Sequence, residues 1–403
     1  FIYYEKMEKL ITPDKKNHFY GYYDKSPLNS SKTLLISHEV DSFGRKLNKN
    51  DTAKICVSNL KNGETKTVAT TVAWNYQQGS QLQWISDNKI IFNSYKEDYV
   101  AIIFDLETSK AERILKNPIY SISDDKKIYS SIDYSRMHKF REGYGYLQEE
   151  YQKNDSLLKI CSFDTSETLV ELNKEDFKEY ADMDFEKCWI DHVLFAPDDH
   201  DFVFLFRSLI DDSLVSYLFF YDFKNKKICN VLNSGMAGHG SWLDNENFII
   251  WAREKQLTKK INKINNSILK KIIKLIRLIG VPKFIRKNIY GDGYIKFNKR
   301  NKKNNKLDLD IPYNIAGGHF SFTKDKNLMI SDTYHNHNYQ SVLFSYNMNN
   351  KSLNKFQKFN CIKSIKDKAF RCDLHPRIIS NQELIIDSTH EGFRGIYMIK
   401  LPF

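Results

Sequence analysis

The chain has 403 residues, 41% hydrophobic and 14% aromatic, with a formal charge of +11. Much of this net charge is local, between residues 255 and 306, so a nucleic-acid footprint spread over the whole protein is not expected, and no apolar run reaches the ~18 residues of a membrane-spanning helix. Six cysteines (Cys56, Cys161, Cys188, Cys229, Cys361 and Cys372) stand without a CxxC pair and read as buried thiols rather than as a disulfide framework. The compartment stays open. No signal-peptide pattern is visible after Phe1, which suits a cytoplasmic or membrane-peripheral protein if the chain is complete, and a secreted or periplasmic one if a leader has been removed.

Residues 1–17 read as a lead-in able to supply a closing strand. One phrase then recurs seven times: a few apolar residues, a polar turn, and an apolar strand. The first copy runs from Tyr23-Asp24-Lys25-Ser26-Pro27 to Leu34-Leu35-Ile36-Ser37. The second joins Leu82-Gln83-Trp84-Ile85-Ser86-Asp87 to Ile90-Ile91-Phe92, and the third joins Tyr120-Ser121-Ile122-Ser123-Asp124-Asp125 to Ile128-Tyr129. Later copies open at His192, His239, His319 and His375 and lead into Phe202-Val203-Phe204-Leu205-Phe206, Phe248-Ile249-Ile250-Trp251, Leu328-Met329-Ile330 and Leu384-Ile385-Ile386-Asp387. Each copy predicts two strands joined by a tight turn. Seven such units, each completed to four strands and set radially, would bury their apolar faces against one another. The fold class expected is therefore all-β, a seven-bladed β-propeller forming one domain over residues 1–403.

Two stretches interrupt the rhythm. Residues 131–189 hold Ser135-Arg136-Met137-His138-Lys139-Phe140-Arg141-Glu142-Gly143-Tyr144, a density of Arg, His and Tyr that reads as a binding loop on a rigid scaffold. Residues 255–310 carry Ile261, Ile264, Ile268, Ile272, Leu275 and Leu278 at helical spacing, with lysines on the other face. That pattern predicts a basic amphipathic helical insertion, and its segment 259–287 suits an anionic membrane surface.

The chemistry-bearing residues are unevenly placed. His239, His319 and His375 open the last three repeats, with His192 one repeat earlier, and equivalent positions on successive blades share one end of a propeller. Cys372 precedes His375 by three residues, and thiolate with imidazole is a ligand set for zinc or a similar ion. Arg207 directly follows Phe202–Phe206, which predicts a place at a strand end. Trp74, Gln77 and Gln78, within Trp74-Asn75-Tyr76-Gln77-Gln78-Gly79, combine rings with amides as a sugar platform does.

Gly238-His239-Gly240-Ser241-Trp242, Gly318-His319-Phe320-Ser321-Phe322 and His375-Pro376-Arg377 resemble the closing blades of oligogalacturonate lyases. The opening Asn17-His18-Phe19-Tyr20-Gly21-Tyr22-Tyr23-Asp24 and Gln77-Gln78-Gly79 are similar to the seven-bladed ulvan lyase-like polysaccharide lyases. The resemblance implies β-elimination on an acidic polysaccharide or oligosaccharide containing uronic acid. His239 matches the base, and His319 and His375 match metal positions. That chemistry also needs a cation for the substrate carboxylate and a proton for the leaving oxygen. Arg207 or Arg136 fills the first role and Tyr144 or His138 the second, while His192 and Arg141 join Trp74, Gln77 and Gln78 as substrate contacts. The family's last site has Gln and a further His where this chain has Cys372 and Arg377. A divalent metal on His319, Cys372 and His375 is thus expected to be zinc rather than manganese or calcium. The alternative is a propeller without catalysis that binds glycan, an accessory to surface-polysaccharide synthesis at the membrane.

Overall fold

The computed structural model describes residues 8–41, 43–180, 183–197, 200–254, 290–363 and 369–402. Its strands form seven four-stranded antiparallel sheets, and the protein is a seven-bladed β-propeller. The first blade is β2–β5 (Asn17–Phe19, Leu34–Val40, Ala53–Asn59 and Thr65–Thr71). The second is β6–β9 (Gln83–Trp84, Lys89–Tyr95, Tyr99–Asp105 and Lys110–Leu115), and the third is β10–β13 (Ser121–Ile122, Ile128–Ile132, Ser156–Ser162 and Thr168–Asn173). The fourth is β14–β17 (Cys188–Phe195, Phe202–Ile210, Ser213–Asp222 and Lys227–Leu232), and the fifth is β18–β21 (Ala237–Trp242, Asn247–Arg253, Asp292–Asn298 and Lys303–Lys306). The sixth is β22–β25 (Phe320–Phe322, Leu328–Asp332, Gln340–Asn347 and Leu353–Asn360). In the seventh, β26 (Arg377–Ile378), β27 (Glu383–Ser388) and β28 (Gly395–Lys400) are completed by β1 (Glu8–Leu10). Glu8 lies opposite Ile399 and Leu10 opposite Tyr397, so the lead-in does close the last blade and covers an edge that would otherwise present unpaired amides.

The recurring phrase is the first hairpin of the second to seventh blades, while in the first its opening Tyr23–Pro27 lies between β2 and β3, and the polar turn has a repeated chemistry. In the third blade Ser123 Oγ donates to Asp125 Oδ1, which also accepts Lys127 N, while Ile128 N donates back to Ser123 Oγ. Thr323, Asp325, Asn327 and Leu328 repeat these bonds in the sixth blade. Short side chains that bond their own backbone make this the local preference of the segment. A register shift between the third and fourth strands recurs in the first, second, third, fourth and sixth blades, the kind of bulge that strengthens sheet twist.

Blades one, two, three, six and seven belong to one compact unit, 1–175 with 319–403, and blades four and five to a second, 176–318. In the first unit, Leu35, Ile36, Ile55, Ile90, Phe92, Ile385 and Ile396 form one buried cluster, and Ile330, Leu343, Leu374, Leu384, Ile386 and Tyr397 form another. In the second, Val203, Leu205, Leu218, Phe220, Phe248, Ile250 and Phe297 pack together. Each such side chain removed from water contributes about 1.5–3 kcal/mol.

The two interruptions take a different form from that expected. Within 131–189 the chain forms a short helix, α1 (Tyr134–Phe140), capped by Asp133 accepting from Arg136 N, and then the two outer strands of the third blade. The alternation Leu158, Ile160 on one face and Leu157, Cys161 beside it is buried, but it is hidden in the sequence among Lys, Glu and Asp. Within 255–310, residues 255–289 lie outside the described residues, and with them the helix expected over 259–287. The remainder of that interval contains β20 and β21, which belong to the fifth blade. Among the described residues no helix is long and apolar enough to cross a membrane.

Candidate metal centre and histidine pair

His319 immediately precedes β22, and His375 lies two residues before β26. Their rings meet edge to face with centroids 4.2 Å apart. With Asp373 they form a group whose ligand atoms all lie within 4.8 Å of one another, and all three residues are buried. Asp332, at the end of β23, organises both histidines. It accepts His319 N at 2.7 Å and His375 N at 3.1 Å, and its carboxylate oxygens are 3.1 Å from His319 Nδ1. The ligand atom left to His319 is Nε2. Such a carboxylate behind a histidine fixes the tautomer and aims the ring.

His375 donates from Nδ1 to Gly21 O at 2.8 Å. Its Nε2 is buried and has no hydrogen-bond partner. Burial, reinforced by His319, Arg377 and Arg394, holds this imidazole well below its ordinary titration range, so it is neutral with a lone pair on Nε2. Its backbone sits at φ 46°, a strained setting for a residue with a side chain. That setting persists because Asp332 holds the amide and Gly21 the ring. For Asp373, burial pushes the carboxyl up, but Arg371 at 2.7 and 2.9 Å, with help from His319, outweighs it and keeps the group below the usual carboxylate range.

The loop between β2 and β3 supplies the floor. Asp387, fully buried, accepts from Arg377 Nη1 at 3.0 Å, Arg394 Nη2 at 3.2 Å and Tyr20 N at 3.3 Å. Arg377 also donates to Gly21 O and Tyr22 O. Gly21 has φ 137°, and a Cβ there would come within 2.9 Å of Gln78 O, so the close approach that presents its carbonyl requires glycine. Tyr22 and Tyr23 pack against both histidine rings, with centroids 5.0–6.4 Å away. Burial pushes the Tyr22 hydroxyl up, with Tyr144, Tyr23 and Tyr334 adding to it and Arg141 opposing. Arg141 lies over the Tyr144 ring at 3.8 Å, and Arg371 over Tyr334 at 4.6 Å. Tyr144 and Arg141, chosen from sequence, therefore belong to the same neighbourhood as the metal-type group.

Several expectations are corrected. Cys372 is not a member of the ligand group; its neighbour Asp373 is. The Cys372 thiol is fully enclosed, its titration pushed up by burial, and Sγ reaches only Asp373 O at 3.7 Å. With nitrogen, nitrogen and carboxylate oxygen as donors, the argument for zinc from a soft ligand falls away, and the set suits manganese equally. Arg136 is 1% exposed and committed to Asn154 and to the helix-capping Asp133, with its guanidinium over Tyr151. Trp74 is a core residue packed on Phe19 and Tyr76, its indole donating to Asp51 O. Gln77 clamps Ala369 O and Arg371 O, and Gln78 donates to Tyr120 OH. These amides brace loops rather than offer a platform. His138, on α1, faces Lys46, Glu142 and Phe370 around a small pocket. The sequence reasoning missed Asp332, Asp373, Asp387 and Arg371. The two repeats opened by His319 and His375 both have a second strand reaching an Asp (Met329-Ile330-Ser331-Asp332 and Leu384-Ile385-Ile386-Asp387), and that shared feature was the available signal.

The second unit holds a different constellation. Both β14 and β18 have a register irregularity at their histidine, between Asp191 and Leu194 and between Ala237 and Gly240. His192, at φ 51°, and His239 are 5% and 6% exposed, with ring centroids 5.9 Å apart. His192 Nδ1 lies 2.6 Å from Asp191 Oδ1. Asp191 also meets Arg207 Nε at 3.1 Å and accepts from Trp189 Nε1. Arg207 is not at a strand end: it lies within β15, opposite Trp189 and Ser216. His239 Nδ1 is 3.3 Å from Gly317 O, a carbonyl that can only accept, so Nδ1 is the donor of this contact.

No protein-family model and no curated protein matches the chain. Among solved structures it is similar to an oligogalacturonate lyase in complex with manganese (13% identity, 98% of this chain and 93% of that one, TM-score 0.63). It is similar to the oligogalacturonate lyase of Vibrio parahaemolyticus at 15% identity, with the same coverage and TM-score. The resemblance read from the closing repeats is thus met at the level of architecture: this chain has the seven-bladed fold of the oligogalacturonate lyases.

Proposed function

We propose that this propeller cleaves a uronate-containing oligosaccharide by β-elimination, with a divalent ion held by His319, Asp373 and His375. The buried, partnerless Nε2 of His375 carries the reading, since an unsatisfied buried nitrogen is costly unless something binds it. The donor set fits a divalent cation: two imidazoles, one held neutral, and a carboxylate kept ionised. When bound, the ion would neutralise the sugar carboxylate and so acidify the proton at C5. A complex with manganese in a structure of the same fold supports that ion over zinc.

The chain's own groups would do the rest. His239 is the base that the resemblance implies, and Gly317 O at its Nδ1 would orient the ring for accepting the C5 proton. The electron pair of that C–H bond forms the C4–C5 double bond as the C4–O4 bond breaks. Tyr144 delivers a proton to the departing oxygen, and Arg141 orients the acidic sugar. Arg207 is tied to Asp191 and positions the His192 side of the pair instead of meeting the carboxylate.

Incubation with a panel of acidic oligosaccharides, read by the ultraviolet absorbance of the unsaturated product, tests this. His239→Ala and Tyr144→Phe should each lower the rate ~10²–10⁴-fold with the melting temperature nearly unchanged. Glycan binding with no product from any member of the panel would favour the non-catalytic alternative.

A further inference from the structure

We propose that His18, Glu39 and Cys56 form a second metal site, built into the first blade and suited to an ion of the zinc class. Strand register puts them on one face. His18 pairs with Glu39 across β2 and β3, while Glu39 pairs with Lys54 and Ser37 with Cys56 across β3 and β4. Because side chains alternate with period two, His18, Ser37, Glu39, Lys54 and Cys56 all share that face. The ligand atoms of His18, Glu39 and Cys56 lie within 4.8 Å of one another, and all three residues are buried. Tetrahedral zinc, with bonds of ~2.0–2.3 Å, spaces its ligands about 3.3–3.8 Å apart, so a small closure completes the set.

The second observation is the state of His18. Its ring is fully enclosed, and Nδ1 is 3.2 Å from Ser37 Oγ. Nε2 lies 3.3 Å from Glu39 Oε2 but makes no hydrogen bond. The Cys56 sulfur has only weak contacts, 3.9 Å to Lys54 O and 3.7 Å to Thr67 Oγ1. A bound cation would displace the thiol proton to solvent and leave Glu39 and the thiolate balancing its charge.

Two lysines oppose the cation. Lys54 Nζ holds Glu39 Oε1 at 2.8 Å, which leaves Oε2 for the ion. Lys16 sits 3.4 Å from Oε2, but its side chain is 57% exposed and can swing away. Glu39 is the member that reaches solvent, so water enters on that side and supplies the fourth ligand. The sulfur distinguishes this site from His319–Asp373–His375 and makes the experiment specific.

The intact chain is titrated with Co²⁺ and its absorbance recorded. The expected result is a thiolate-to-cobalt charge-transfer band with tetrahedral visible bands. The band should be retained in His319→Ala, lost in Cys56→Ser and shifted to at least tenfold higher cobalt in His18→Ala. Lys16→Gln, at an exposed position, should shift it severalfold to lower cobalt. A wild-type protein with no thiolate band at saturating cobalt overturns the proposal without relying on any variant's folding. A band that survives Cys56→Ser, or ignores both His18→Ala and Lys16→Gln, overturns it as well. None of these outcomes depends on lyase activity, so failure of that reading would leave this one standing.

Discussion

His375 in the last blade and His192 in the fourth share a left-handed backbone, at φ 46° and 51°, and each belongs to the start of its blade. Their neighbours make them different tools. His375 gives its Nδ1 proton to a carbonyl, Gly21 O, a neutral acceptor that leaves Nε2 as an electron-pair donor. His192 meets a carboxylate, Asp191 Oδ1, which Arg207 and Trp189 also hold. Around His375 stand a second imidazole and the ionised Asp373. Around His192 stands His239, and among the described residues no ion-sharing group includes either of that pair. A repeat fold can thus give one backbone position different partners, a carbonyl for His375 and a carboxylate for His192, and with them different imidazole chemistry.

The buried charge networks behind the two sites give the largest expected effect. Asp387→Ala strands two enclosed guanidinium groups, Arg377 and Arg394, and should cost about 3–5 kcal/mol. Asp191→Ala removes the carboxylate from only one guanidinium, Arg207, so its melting temperature should fall less. Equal losses in thermal unfolding would break the distinction. Metal affinity comes next. His375→Ala should lower Mn²⁺ affinity by more than tenfold, and Asp332→Asn, which loosens the support of both ligands, by ~10–100-fold. His192→Ala should leave it unchanged in the same titration calorimetry. Cys372→Ser sharpens the assignment of ligands: a buried hydroxyl without its own partner should cost about 1–3 kcal/mol of stability while Mn²⁺ affinity stays put. A large loss of affinity there would return the thiol to the ligand set.

The propeller was legible because its signal is local and repeated. An apolar strand after a polar turn needs no knowledge of distant contacts, and six of the seven copies fell on first hairpins, the first copy opening in the loop between β2 and β3. The lead-in as closing strand followed from the need to pair the last edge. The outer strands of the third and fifth blades were not legible, because half-buried alternation among lysines and glutamates looks like an insertion. His319 and His375 could be chosen from equivalent repeat positions, but Asp373 over Cys372 could not. Two adjacent residues point to opposite sides of the chain, and only the fold decides which faces the histidines. Trp74, Gln77, Gln78 and Arg136 show the same limit from the other direction. Their residue types suit sugar binding, yet burial gave them packing and loop-bracing roles that composition cannot reveal.

The smallest effect separates the two acid candidates chosen from the 131–189 stretch. A general acid must carry its proton at the working pH. Burial lowers the titration of His138 below its ordinary 6.5, with Lys46 lowering it further and Glu142 opposing. In the unfolded chain the same imidazole would bind its proton near that ordinary value. Between the two, the unfolded state holds more protons, so stability contributed by neutral His138 is full above about 6.5 and is lost as the pH falls toward the folded value. His138→Gln should therefore flatten the acid side of the melting-temperature profile slightly and leave it unaltered at neutral pH. It should also leave any product formation at neutral pH within about twofold, because an imidazole already neutral there has no proton to give. A strong loss of product in His138→Gln at neutral pH, with the melting profile unmoved, would reverse the assignment and make the helix α1 part of the reacting site.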